Sequence, residues 1–475
     1  MSQAKLRADA INRFIADAKS LGVYDALKAS CVMAGWDSLA GALTPLAGTA
    51  PSNNGFLAAD YDRGTGLKGD GTSYLDSGRA SDDDPADDCH LAVYATSAPS
   101  VGVKMYVGGQ VSNPYDIYRS SADMQFRSGG TQFASGAGGS TGLIASARNA
   151  SDSFSIRIDG ETTSAASLAR NPNAVNMFVF ARNNNGTADF ISDATIAFYS
   201  IGTSVDLSVM DTLVSRLLAD FRSIDEDGMD RDALAYIRNV EAADGGYLEL
   251  GVKRAIDTFV RGCKYDGIWD SIKASCILCG ARTLAGALVP LAGTAPTNNN
   301  FVDADYNRET GLKGNGSTKY LNSGRAGTAD DQNDRHRALY VTTTPSSASK
   351  AYMGHSNGAS AFDDIYHAGV GSYIRPCTAA GAANGVSATG FIGYSRASGT
   401  AYDWIIFASA STGATAASVA PQSSNALVFA SNETAGAVRH SDSRLAFYSI
   451  GESISDLALL DSRVTALVTA IGAAL

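Results

Sequence analysis

Two polar clusters recur far apart in this chain, and their residue types could hold a ligand. Asn53, Asp60, Tyr61 and Arg63 are answered 245 residues later by Asn298, Asp305, Tyr306 and Arg308. Amide, carboxylate, phenol and guanidinium groups gathered in one loop can line a sugar-binding edge or offer oxygen ligands to a cation such as calcium. The same types also hold turns, since Asn and Asp bond to their own backbone while Tyr packs. His90 and His336 form a second recurring pair. One histidine per copy, with no second ligand two or four residues on, makes a poor metal site, so a histidine hydrogen-bonded at a strand end is expected. Before each lies an acidic run, Asp82, Asp83, Asp84, Asp87 and Asp88 in one case and Asp330, Asp331 and Asp334 in the other. Carboxylates at that density can recruit calcium, but a solvated acidic loop is the expectation.

Cys276 and Cys279 match half of a zinc or redox motif, yet the first copy has Cys31 followed by Ala34 at the second place. No further pair follows, so core packing is expected for these thiols. The sequence contains no glycine-rich phosphate loop opening a helix, no G-x-S-x-G and no H-E-x-x-H. Nucleotide chemistry, serine hydrolysis and zinc proteolysis lose their usual entry points. No catalytic residue, metal ligand or cofactor is therefore expected, apart from the calcium alternative.

The elements that must position these groups are written twice. The stretch LKASCVMAGWDSLAGALTPLAGTAP through SGRA at 27–80 returns as IKASCILCGARTLAGALVPLAGTAP through SGRA at 272–326. The segment ISDATIAFYSIGTSVDLSVMDTLVSRL at 191–217 returns as HSDSRLAFYSIGESISDLALLDSRVTAL at 440–467. Both ends of the unit are kept, and a period near 245 means duplication of a domain, far beyond any solenoid repeat. The expected layout is helices plus a first sandwich with its closing helix over 1–222, a helical linker over 223–249, and the same unit again over 250–475.

Each copy opens on a helical stripe, Ala10, Ile11, Phe14 and Ile15 against Ala255, Ile256, Phe259 and Val260. A second short helix ending in KASC is expected next, placing Cys31, Cys263, Cys276 and Cys279 in helical segments. The body then turns to short apolar runs between Gly, Asn, Ser and Asp clusters. Phe154, Ile156 and Ile158 alternate with polar residues, the pattern of a strand with one buried face. Leu207, Met210, Val214, Leu217 and Phe221 follow a 3,4,3,4 spacing, as do Leu457, Leu460, Val464, Leu467 and Ile471, so each copy should close on an amphipathic helix. The fold class read from this is mainly β with flanking α-helices, as two tandem sandwiches.

The 475 residues carry a net charge of -11, which repels a phosphate backbone and makes nucleic acid an unexpected partner. The start MSQAKLRADA lacks an apolar run behind a basic end, so no secretory signal is expected. The most apolar stretch, 276–296, is broken by Arg282 and glycines, so no membrane insertion is expected. Synthesis in a cytoplasm, with reduced buried cysteines, follows from these readings.

GLKGDGTSYLDSG at 66–78 and GLKGNGSTKYLNSG in the second copy resemble the opening strand pair of laminin-G-like, concanavalin A-like jelly rolls. IAFYSIGTSVDLSVMDTLVSRL is similar to the closing strand and short helix of those modules, and SFSIRIDGE to their hairpin strand. The second copy reads YDWIIFASAS there and departs from the pattern. The resemblance implies two concanavalin A-like jelly rolls. Retaining glucanases of that fold set two glutamates on one strand face with an aspartate between, and no E-x-D-x-x-E or E-x-D-x-E string occurs here. Glu161, Glu309 and Glu433 have no glutamate at the matching place in the other copy.

The tandem arrangement with leading helices also resembles bacteriophage or prophage virion proteins. That likeness implies a non-enzymatic structural component, such as a head decoration, tail or fibre part, located in the virion. Its partners would be other virion proteins, with homo-oligomerisation. The alternative is a carbohydrate-binding protein that attaches to host-surface glycans, with Asn53, Asp60, Tyr61, Arg63 and their counterparts as binding residues. A polysaccharide depolymerase is the remote alternative.

Overall fold

The closing strand of each copy dictates the order of layers. Thr195–Gly202 is buried at every position, and Arg444–Gly451 at every position after the first, so both faces of each strand must be covered. A strand buried on both sides loses the alternation of polar and apolar residues and reads as the continuous run AFYSIG. A computed structural model describes residues 3–475 except 111, 122, 131–132, 138–140, 172–173, 358–360, 370, 380, 385–387 and 408. It separates into two compact units, Met1–Asp227 and Gly228–Leu475.

In the first unit Thr195–Gly202 pairs with Leu27–Val32 on one side and Cys89–Ser97 on the other. The sheet continues through Gly142–Arg148 and Ser153–Ile158 to Glu161–Ala166. A second sheet faces it, running Phe133–Ala137, Asp123–Ser128, Tyr115–Ser120, Lys104–Gln110, Asn176–Val179, Tyr74–Ala80 and Ser52–Asn54. Between them lies an apolar core that includes Val93, Val107, Ile117, Phe126, Ile144, Phe180 and Ile196. The second unit repeats this plan. Arg444–Gly451 sits between Ile272–Ile277 and Arg335–Thr343, and the facing sheet runs from Thr297–Asn299 to Ala382–Asn384 in the same order. These are two tandem jelly-roll sandwiches, mainly β with flanking helices.

The helices form a third layer on the outer face of the first sheet. Gln3–Ser20 packs against Leu207–Glu226, and Leu250–Tyr265 against Leu457–Ala473. All ten residues of the two closing stripes are buried, and they share cores with Ala197 and Phe198 in one unit and Ala446 and Phe447 in the other. The helix N-termini are capped by Asp206 and Asp456, whose carboxylates accept backbone N–H groups of the first turn.

Several sequence expectations change. The segment ending in KASC is a single 3-10 turn, Tyr24–Ala26 or Trp269–Ser271, followed by a strand. Cys31 and Cys276 therefore lie on strands and Cys279 in the turn after one, while Cys263 is helical. The misreading has a physical cause, because Leu27–Val32 is buried at five of six positions and shows no period of two. All six thiols are buried and unbridged. Where the second copy departs from the SFSIRIDGE pattern, the hairpin is kept as Ala401–Ile406 and Ser409–Thr415, without the Asp-Gly turn. In the first copy that turn has Asp159 and Gly160 at φ of 52° and 76°, the pair a type I′ turn requires. The stretch between the copies is largely the helix Arg231–Asp244, ended by Gly245 in the left-handed region, and it packs within the second unit. Among the described residues no helix is long and apolar enough to cross a membrane.

Candidate ligand-binding face

The loop residues singled out in the sequence are placed alike in both units, and their polar atoms serve the loop. Asn53 donates to Phe56 O and accepts from Phe56 N, each at 2.9 Å, and Asn298 does the same with Phe301 at 3.0 Å. Asp60 accepts from Leu57 N at 2.7 Å and Asp305 from Val302 N at 2.8 Å, while Asp305 also holds Lys319. The Tyr61 hydroxyl donates to Trp36 O at 2.9 Å and that of Tyr306 to Ala281 O at 2.7 Å. Arg63 and Arg308 donate to the same carbonyls and then pair with Asp37 and Glu249 respectively. Burial pushes both phenols well above their ordinary range. The asparagines and aspartates thus hold the loop itself, and the tyrosines and arginines tie it to the turn that follows the strand at 27 or 272.

His90 and His336 are also matched. Each ring sits between a backbone carbonyl, Thr203 O at 2.5 Å or Glu452 O at 2.6 Å, and a serine hydroxyl, Ser200 or Ser449. The nitrogen facing the carbonyl must carry the proton, so the other accepts from the hydroxyl and the ring is neutral. Burial brings both rings down to about 4. An unfolded histidine binds its proton near 6.5, so between those values the unfolded chain holds more protons and folding weakens as pH falls. Each histidine should therefore remove about 3 kcal/mol between pH 6.5 and 4. His355, brought down to about 3 by burial, adds to this in the second unit. Urea unfolding at pH 7 and pH 4.5 should show a smaller loss in His90→Gln than in the parent chain, and an equal loss contradicts the assignment.

The acidic runs are only partly solvated. Asp84 and Asp330 are buried against Arg79 and Arg325, and Asp88 and Asp334 accept from the backbone N–H of Ser204 and Ser453. Among the described residues no group of three or more His, Cys, Asp or Glu is placed to hold a metal ion.

A different arrangement recurs on the outer face of the second sheet, away from the helical layer. Asp116, Ile117 and Tyr118 return as Asp364, Ile365 and Tyr366, and in both copies an arginine follows the aspartate by 11 residues, Arg127 or Arg375. Ile117 and Ile365 point into the sandwich, which puts the aspartate and tyrosine on the opposite face. Arg127 lies directly across the ladder from Asp116, and Arg375 from Asp364. The guanidinium grips the carboxylate with two nitrogens, with Nε to Oδ1 at 2.7 Å in one unit and 2.8 Å in the other. It also stacks on the tyrosine ring, 5.0 Å from the centroid of Tyr118 and 4.4 Å from that of Tyr366.

Gly108 and Gly354 stand opposite the aspartates, and a Cβ there would come within 2.7 Å and 2.3 Å of the aspartate Cβ. The glycine is thus required by the pair. Burial pushes both carboxyls upward, and the arginine opposes that shift. The carboxylate in this geometry fixes the arginine on its ring. Further along the same face, Asn54 and Tyr74 pair across the ladder, as do Asn299 and Tyr320. Asn176 bonds to Asp76 at 3.2 Å and Asn425 to Asn322 at 3.1 Å. Tyr74, Asp76, Arg127 and their counterparts Tyr320, Asn322 and Arg375 are all partly exposed. An edge of amides, carboxylate, guanidinium and aromatic rings can hydrogen-bond to hydroxyls while a ring covers an apolar sugar face.

No family model and no curated protein matches the chain. Solved structures do. The CBM40 module of the Ruminococcus gnavus IT-sialidase is 12% identical, covers 28% of this chain and 83% of its own, and gives a TM-score of 0.22. A K499G mutant of the NanB sialidase from Streptococcus pneumoniae is 11% identical over 31% of this chain and 27% of its own, with a TM-score of 0.26. A mutant of Trypanosoma rangeli sialidase that displays trans-sialidase activity is 8% identical over 43% of this chain and 38% of its own, with a TM-score of 0.28. Likeness at this level transfers neither site nor activity.

The units differ at one end of the sandwich. In the second, Arg335 and Arg337 reach from the first sheet to Asp363 on the second, at 2.8 Å and 2.6 Å, and Tyr394 donates to the same carboxylate. His355 accepts from Arg337 at 2.9 Å. The matching positions of the first unit are Cys89, Leu91, Tyr115, Ser146 and Gly109, so this buried ionic bridge belongs to one copy only.

Proposed function

We propose that this protein is a non-enzymatic, two-module glycan-binding protein, displayed as a structural component of a phage particle. The observation that carries the binding reading is the repeated pair of partly exposed arginines, Arg127 and Arg375, each fixed by a buried aspartate and a tyrosine ring, with the same amides and tyrosines further along the outer face of both second sheets. Two copies in one chain raise avidity for a repeated glycan without any new contact. Placement on a head, tail or fibre rests on the resemblance of the tandem arrangement with leading helices to virion proteins. The absence of catalysis is part of the proposal, because the duplicated carboxylates are committed to arginine or to turns. A glycan array tests the reading. The parent chain should retain a defined set of bacterial surface glycans, and Tyr118→Ala with Tyr366→Ala should weaken retention by about 100-fold, the loss of both engaged sites. Unchanged retention in the double variant removes this face as the site, and no retained glycan removes the binding reading.

A further inference from the structure

The leading helices of the two units present the same flank, and only one of those flanks is covered. In the second unit the helix Arg231–Asp244 lies along Leu250–Tyr265 and over the short helix Leu284–Ala287. Its Ala233, Tyr236, Ile237 and Val240, spaced as one helical stripe, share a core with Val252, Ile256, Ala281 and Ala287. Its ends are fixed by polar contacts. Asp230 N donates to Asp257 at 2.6 Å, Glu241 pairs with Lys253 at 2.7 Å, and Asp244 accepts from the backbone N–H of Arg282 and Thr283 at 2.7 Å and 2.9 Å.

Stepping 245 residues back puts the same surface on the first unit. Glu249, Lys253, Ile256, Asp257, Ala281 and Arg282 become Ala4, Ala8, Ile11, Asn12, Trp36 and Asp37. All six line an open groove of about 320 Å³, floored by Phe221 and bounded by Arg7. The burial of the two flanks differs as a missing helix requires. Ile11 is half-exposed where Ile256 is buried, and Asp37 is exposed where Arg282 is half-buried. Leu39 is likewise half-exposed where Leu284 is buried. Arg7 is 7% exposed, and its Nε has no hydrogen-bond partner. Trp36 takes part of the space that the helix fills beside Ala281, and the remaining slot is apolar.

We propose that this groove of the first unit docks an amphipathic α-helix supplied by a partner protein, in the manner that the second unit holds Arg231–Asp244. The partner helix carries an apolar stripe at i, i+3, i+4 and i+7. It needs no acid where Arg231–Asp244 has Glu241, because Ala8 stands where Lys253 pairs with that glutamate, and Asp37 is already held by Arg63. Its last turn offers acceptors to the backbone N–H groups at 37 and 38, the counterparts of those that Asp244 satisfies.

The test is a titration of the full chain with a fluorophore-labelled, helix-stapled peptide of sequence RDALAYIRNVEAAD carrying Ala in place of its Glu, read by anisotropy. Saturable binding is expected, weakened at least about tenfold by Ile11→Arg. Ala8→Arg, at an exposed position, should weaken it similarly by filling the groove. No saturable binding overturns the proposal. Binding equal in the parent and both variants also overturns it, since the peptide would then be exchanging with the resident helix of the second unit.

Discussion

Leu460→Asp unfolds the second unit and leaves the first folded. Leu460 is fully buried on the stripe Leu457, Leu460, Val464, Leu467 and Ile471, which packs on Phe447 and on Phe259 of the leading helix. Burying a leucine contributes about 1.5–3 kcal/mol, and an aspartate there adds the cost of an unpaired charge in an apolar site. The expected loss is about 4 kcal/mol or more, a large share of the stability of one domain. Hydrogen exchange read separately on Thr195–Gly202 and Arg444–Gly451 distinguishes the units. Protection lost from the second strand and kept in the first is the expected result. Unchanged protection in both would mean that the stripe does not hold the layer.

Asp363→Asn has a comparable effect for a different reason. Asp363 is shared by Arg335 and Arg337 inside the sandwich and accepts from Tyr394, and each of these residues is at most 2% exposed. The two guanidiniums hold its carboxyl far below the usual carboxylate range, against the upward pull of burial. Asparagine keeps the shape and removes the negative charge that the two buried guanidiniums share. Breaking a buried pair by removing one partner costs about 3–5 kcal/mol. Denaturant unfolding should show that loss. Asp116→Asn, whose arginine is partly exposed, should lose less.

Duplication was the most legible feature of the sequence, because the retained ends and the 3,4,3,4 stripes depend only on residue types and spacing. The stripes land on buried faces at every position. What spacing could not reveal was the strand at 27–32, since burial on both faces erases the alternation that marks a strand. The loop residues Asn53, Asp60, Tyr61 and Arg63 were visible as a recurring set, but only geometry shows their atoms turned onto neighbouring backbone. The Asp–Arg–Tyr row is hard to read from spacing because the segments around it diverge, one reading DIYRSSADMQFRS and the other DIYHAGVGSYIRP. Its signal was present as D-I-Y with arginine 11 residues after the aspartate in both copies. The ionic bridge around Asp363 left no such trace, since the first copy has no counterpart to compare.

The groove beside Ile11 shows what an imperfect repeat can reveal. A residue that is buried in one copy and exposed at the matching place in the other marks a surface whose cover differs. Here the cover is known in one unit, so the chemistry of the missing element can be read from it.

The proposed function requires two equivalent, non-catalytic glycan sites per chain, which calorimetric titration with a glycan retained on the array counts. Two sites are expected per parent chain and one in either Tyr118→Ala or Tyr366→Ala, with no reducing ends released during the titration. A single site unaffected by both substitutions, or steady turnover abolished by mutating one aspartate, would contradict it.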